Sequence, residues 1–189
     1  MGGESIIEIP EIRKAMMPMS VDFFHAAGEL GWIDENVELL HGYPVKKMSK
    51  SPEHEYLVSL LLRMLEQVIP SSHFVIKERP LTTQDSEPEP DLMVVEGEER
   101  SFRRVHPTTA SLVIEVSIHT QERDRQKARI YAAAGVEEYW LVEPDRKAIT
   151  VYRAPEPEGY GVEKEALETG MVHSTVFPSF EVGLSEVFS

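Results

Sequence analysis

Apolar residues recur at three- and four-residue steps from His54 to Ile69. Leu57, Leu60, Leu61, Met64, Leu65 and Val68 fall on one stripe, and this spacing predicts an amphipathic helix ended by Pro70. Ahead of it, Ser20 suits an N-cap, and the run to Leu30 carries Val21, Phe24 and Leu30 among polar residues, which predicts a shorter helix. Between the two, Val37–Leu40 and Val45–Met48 are short extended runs around His41 and Gly42, the pattern of a hairpin.

Downstream the period changes to that of strands. Phe74–Glu78, Asp91–Val95 and Leu112–Ser117 are three such runs, separated by segments rich in Pro, Glu and Thr. Thr120–Ala134 again reads as helix, with Ile130, Tyr131 and Ala134 as buried candidates and Gly135 where a C-terminal glycine cap belongs. Tyr139–Val142 and Ala148–Tyr152 are two further strands, joined by the turn residues Glu143-Pro144-Asp145-Arg146. Beyond Arg153, the APEPEGYG segment reads as a loop, and the last residues as an edge strand or a cover. The resulting class is α/β, with helices against a mixed α+β sheet.

Composition narrows the picture. With 189 residues and 41% hydrophobic side chains the chain suits one domain, 20–189, preceded by an N-terminal extension, 1–19. No stretch approaches the roughly 18 consecutive apolar residues of a membrane helix, and the first residues lack the order of a signal peptide. A cytoplasmic protein without membrane partners is the expectation. There is no cysteine, so thiolate nucleophiles, disulfides and Cys-ligated metals are excluded and chemistry must come from oxygen and nitrogen. The net charge of -14 argues against broad, sequence-independent binding of nucleic acid. The basic residues are nonetheless grouped: Lys46, Lys47 and Lys50; Arg103 and Arg104; Arg123, Arg125, Lys127 and Arg129.

Two acids on or beside strands carry the chemistry. Glu115 interrupts the apolar run LVIEVS, sharing a strand face with Val113 and Ser117, opposite Leu112, Ile114 and Val116. Asp91 follows Pro90 and opens the run Leu92–Val95. A buried, ionised carboxylate needs a cation or a hydrogen-bonding partner, and two on neighbouring strands can converge on a hard cation such as magnesium. The plainer alternative is a salt bridge or exposure at a strand end. Lys127, 12 residues after Glu115 on the following helix, could orient or help deprotonate an attacking water. No H-E-x-x-H, Walker loop or GxGxxG is present.

The segments VELLHG, MSKSPEHEYLV, EPEPDLMVV, LVIEVS, RDRQK and IYAAAGVEEYWLVEP, in this order, resemble the Uma-type family of restriction endonucleases within the PD-(D/E)XK nuclease superfamily, from about Ser20 to the C-terminus. The resemblance implies a restriction-endonuclease-like αβββαβ core with an N-terminal helix and hairpin. It implies catalytic Asp91, Glu115 and Lys127, with a metal held by Asp91, Glu115 and the backbone carbonyl of Val116. Ser117 stands where the superfamily's lysine falls, and Lys127 is its match on the next helix. Asp124 and Lys127 are three residues apart where many relatives have four, which rotates one relative to the other. Glu38, His54, Ser117 and Asp124 are possible supporting residues. Glu38 could instead pair with a hairpin lysine, and His54 could simply serve the start of its helix. Tyr131, Tyr139 and Trp140 read as packing.

The function implied is phosphodiester hydrolysis in DNA by a magnesium-dependent endonuclease, with manganese as a substitute ion and a homodimer as the simplest way to cut two strands. The rival class, favoured by the acidic charge, is a non-catalytic module that keeps the nuclease fold for nucleic-acid or protein association.

Overall fold

A computed structural model describes residues 9–167 and 170–189. The segment expected as an extension contains a short helix, α1 (Pro10–Ala15), while its first eight residues lie outside the described residues. Ser20 caps α2 (Val21–Glu29) as its position predicts, its hydroxyl accepting from the Phe23 amide at 3.2 Å. Val21 and Phe24 of α2 are buried against Leu39.

The hairpin pairs β1 (Val37–Leu40) with β2 (Tyr43–Lys46), so its second strand starts two residues before the expected Val45. The turn consumes only His41 and Gly42, whose φ values of 50° and 78° suit the two-residue type I′ turn. Gly42 is doubly constrained, because a Cβ there would collide with Pro18.

Helix α3 (Pro52–Glu66) begins earlier than its apolar stripe, since Ser51 caps it and Pro52 fills its first position. Leu57, Val58, Leu61 and Leu65 are buried, with Leu60, Met64 and Val68 at the margin of the core. Strands β3 (His73–Lys77), β4 (Leu92–Glu96) and β5 (Leu112–Val116) follow, then α4 (Gln121–Ala133), β6 (Glu138–Glu143), β7 (Ala148–Glu156) and β8 (Gly159–Leu167). These strands lie in the order β3-β4-β5-β6-β7-β8. Every neighbouring pair is antiparallel except β5 and β6, which run parallel because α4 carries the chain back across the sheet.

The sheet separates two cores by strand alternation. Leu112, Ile114 and Val116 face α3 and the C-terminal cover. That cover is a small antiparallel pair, β9 (Met171–His173) with β10 (Glu181–Gly183), and α5 (Leu184–Val187), so the last residues cover the sheet and add no strand to it. Val113 faces the opposite side with Tyr131, Tyr139 and Tyr152, as expected for the face that also carries Glu115. Trp140 and Tyr139 are fully buried.

The APEPEGYG segment departs from the expected loop. Strand β7 continues to Glu156, and β8 returns along it, Pro155 opposite Tyr160 and Glu156 opposite Gly159. Its prolines and acids mask a strand signal because β8 is a largely exposed edge with no apolar alternation to keep.

Glu138 fastens the cover to the sheet. Its fully buried carboxylate accepts from Trp140 Nε1 at 3.0 Å, Arg153 Nε at 2.9 Å, Ser174 Oγ at 2.7 Å and the Thr175 amide at 3.0 Å. Removing one member of such a buried charged network leaves the others unpaired. Urea unfolding of Glu138→Ala is expected to show a loss of about 3–5 kcal/mol. Glu165→Ala, which removes a partly exposed ion pair to Arg146, should cost no more than about 1 kcal/mol. Equal, small losses would refute the fastening role.

Candidate active site

Register is what brings the two acids together. In the antiparallel ladder of β4 with β5, Leu92 stands opposite Ile114 and Met93 opposite Val113. One step beyond the last pair, Asp91 falls opposite Glu115, on the same side of the sheet. The β3–β4 ladder continues in the same way, the Glu78 amide donating to the Asp91 carbonyl at 3.1 Å.

Asp91 is held at several points. Its Oδ2 accepts from His54 Nε2 at 3.0 Å and from the Val116 amide at 2.9 Å, and Lys50 Nζ lies 3.5 Å from Oδ1. Burial opposes its ionisation, but the His54 hydrogen bond, the Val116 amide and the Lys50 charge outweigh it and hold the carboxyl below the ordinary range. An ionised Asp91 can only accept, so His54 Nε2 carries the proton between them.

Lys127 is buried and shared. Its Nζ is 2.9 Å from Glu38 Oε2, 3.0 Å from Glu115 Oε1 and 3.7 Å from Asp124 Oδ1. Burial would lower its pKa, but the Glu115, Glu38 and Asp124 charges push it upward, so it is held as an ammonium. The Tyr131 hydroxyl donates to the same Glu115 oxygen at 2.7 Å. Burial pushes Glu115 up to about 8; attraction to Lys127 opposes this, while repulsion from Asp91, Asp124 and Glu38 adds to it. Burial is the largest cause, and the single ammonium that Glu115 shares with Glu38 and Asp124 does not overcome it.

These groups line a hollow of about 90 Å³ at the end of β4 and β5, together with Lys47, Lys50, Thr120 and Arg123. The expected site residues Asp91, Glu115, Val116 and Lys127 meet there with Glu38, His54 and Asp124. Glu38 pairs with Lys127 and lies 3.8 Å from Arg123 Nε, so its partners come from α4 and not from the hairpin lysines. The three-residue spacing keeps Asp124 and Lys127 on one face of α4, with the Thr120 hydroxyl donating to Asp124 Oδ2. Ser117 is apart from the acids: its hydroxyl meets that of Thr120 at 3.2 Å.

Two participants were not singled out from the sequence. Tyr131 packs as expected against Tyr139, ring centroids 4.9 Å apart, yet its hydroxyl reaches Glu115. The signal was available, because Lys127 and Tyr131 are four residues apart and share a helix face. Lys50 was only one of a basic group, and its approach to Asp91 and Glu78 depends on how the hairpin docks.

The donor set suits a hard cation. Among the described residues no three His, Cys, Asp or Glu side chains converge at ligand spacing; the carboxylate oxygens of Asp91 and Glu115 in the hollow are of the chemical type that hard cations take. Glu38 Oε1 lining this hollow is buried with no hydrogen-bond partner, an unspent acceptor that added positive charge would relieve.

Comparison with known proteins agrees with this fold. The crystal structure of "a putative nuclease belonging to DUF820 from Anabaena variabilis" superposes with a TM-score of 0.76 at 19% identity, covering 90% of this chain and 98% of that one. No curated protein matches by sequence. Among the described residues no helix is long and apolar enough to cross a membrane. The family model described as Uma2, "Putative restriction endonuclease", matches residues 31–185. That span contains every residue of the hollow, and the chain therefore belongs to the Uma2 restriction endonuclease family.

Proposed function

We propose that this chain is a divalent-metal-dependent endonuclease that hydrolyses phosphodiester bonds in DNA, using magnesium or, in its place, manganese. The observation that carries the reading is the placement of Asp91 opposite Glu115 with Lys127 Nζ 3.0 Å from the latter. Asp91 and Glu115 would hold the ion, with the Val116 carbonyl as a further ligand. Once bound, the ion would lower the pKa of a water molecule and offset charge on the phosphate oxygens.

The chain's own residues have separate tasks. Lys127, kept as an ammonium by its acids, cannot accept a proton, so it orients water and offsets developing negative charge. His54 and the Val116 amide fix the Asp91 carboxylate, and Tyr131 fixes that of Glu115. The water oxygen bonds to phosphorus as one bridging P–O bond breaks, giving a phosphomonoester and an alcohol. A homodimer would supply two such centres, one for each strand of a duplex.

A second reading has an observation of its own. The Asp91 contacts to His54 and the Val116 amide, and the Lys127 contacts to Glu38 and Glu115, pair these buried charges within the protein itself, which is also what a structural cluster in a binding module needs. Cleavage of supercoiled plasmid and labelled single-stranded DNA decides between them. In magnesium, Asp91→Asn, Glu115→Gln and Lys127→Ala are each expected to lower the rate by about 10²–10⁴-fold while circular dichroism stays native. Undiminished cleavage in the acid variants, or none in the wild type on either substrate, would favour the binding module.

Metal affinity should follow the proton on Glu115. Between about 4.5 and 8 the folded protein holds this proton while the unfolded chain has lost it, so metal-free stability falls as pH rises through that window. The ion requires the carboxylate, so its stabilisation should run the opposite way, growing by up to about tenfold in affinity per pH unit below 8. Thermal melts with and without manganese at pH 6 and pH 8.5 should therefore show the larger metal-induced shift at the higher pH. In Glu115→Gln both pH trends should flatten, and a wild-type shift of the same size at both values would remove Glu115 from the metal site.

A further inference from the structure

A second hollow, of about 480 Å³, lies beside β3 at the edge of the sheet. Its charge is opposite to that of the chain. Arg79, Arg100 and Arg103 line it against the single acid Glu99, whereas the whole sequence has 19 Lys and Arg to 33 Asp and Glu. Arg100 is taken up by Glu98, but Arg79 and Arg103 have no acidic partner among the described residues and are exposed. Phe102 packs on Phe74 with ring centroids 5.7 Å apart, and with Val105 it gives the hollow apolar lining beside the arginines. The loop is tied down by the Thr82 amide donating to the Pro107 carbonyl at 2.9 Å.

Guanidinium groups beside an apolar and aromatic lining match one nucleotide unit of a strand, with phosphate on the arginines and a base on the lining. Arg79 directly follows Glu78, whose amide bonds Asp91, so the hollow adjoins the end of the sheet that carries the acids. We propose that the hollow bounded by Arg79, Arg103 and Phe102 is a second contact for the nucleic-acid strand, taking a backbone phosphate away from the cleaved bond. Its choice of ligand rests on the nuclease reading, while its binding can be measured without cleavage.

The test compares wild type with the double variant Arg79→Gln/Arg103→Gln, and with Lys147→Gln/Lys164→Gln, which makes the same charge change at two other cations without acidic partners. Fluorescence polarisation of a labelled oligonucleotide across a salt series reads binding, and magnesium-dependent cleavage reads kcat and KM. The arginine double is expected to weaken binding at least tenfold, to reduce the duplex salt slope by about 0.9 for one lost phosphate contact, and to raise KM with kcat unchanged. The lysine double should do neither. Equal effects in both doubles, or none in the arginine double while wild type cleaves, would overturn the second contact and leave the nuclease reading standing. Binding lost in the arginine double of a wild type that binds but does not cleave would keep the contact and remove the nuclease. Absence of wild-type binding, or competition by millimolar inorganic phosphate with no effect of an unlabelled strand, would overturn the contact itself.

Discussion

The ammonium group of Lys127 joins three parts of the fold at one point. It projects from α4, reaches Glu115 on the central β5, and reaches Glu38 on β1, a strand of the separate two-stranded hairpin. A buried charge must be matched where it lies, so this contact fixes the helix against the sheet and the hairpin against both. The hairpin in turn closes one side of the acidic hollow and delivers Lys47 and Lys50 to its rim.

The electrostatics follow from an imbalance. Glu38, Asp91, Glu115 and Asp124 are all buried, and three of them, Glu38, Glu115 and Asp124, share Lys127 as their buried cation. Asp91 escapes the shortage through neutral donors, His54 and the Val116 amide, and through Lys50 at the rim. Glu115 does not, and burial raises its pKa. The same local excess of carboxylate that is unfavourable in the empty fold is what makes a cation welcome there. Elsewhere, buried Glu138 and Glu143 are each met by arginines, Arg153 for the first and Arg125 with Arg146 for the second. The contrast sets the hollow apart from ordinary buried ion pairs.

Net charge describes the chain poorly as a partner for nucleic acid. Its value of -14 counts acids that are internally paired together with those that face solvent, and it averages over cations that are unevenly placed. Lys47, Lys50 and Arg123 stand at the acidic hollow, and Arg79 and Arg103 line the second one.

Local order was legible in the sequence because periodicity is a local property. The stripe on α3, the alternation of β5 and the caps at Ser20 and Gly135 each depend on neighbours within a few residues. Asp91 and Glu115 stood out because they flank or break apolar runs, whereas Lys127, in the polar stretch QERDRQK, was marked by its place on the helix after Glu115 and by the family resemblance. The exposed hairpin of β7 and β8 was hidden, because a strand with little to bury has no pattern to show. Tertiary structure alone decided the register that sets Asp91 opposite Glu115, and the docking that gives Lys127 to Glu38. It also added Tyr131 to the acids as a hydrogen-bond donor. Those outcomes depend on residues 16 to 89 positions apart in the chain, as from Glu115 to Tyr131 and from Glu38 to Lys127. Periodicity says which face a side chain takes; only the packed sheet says what it meets there.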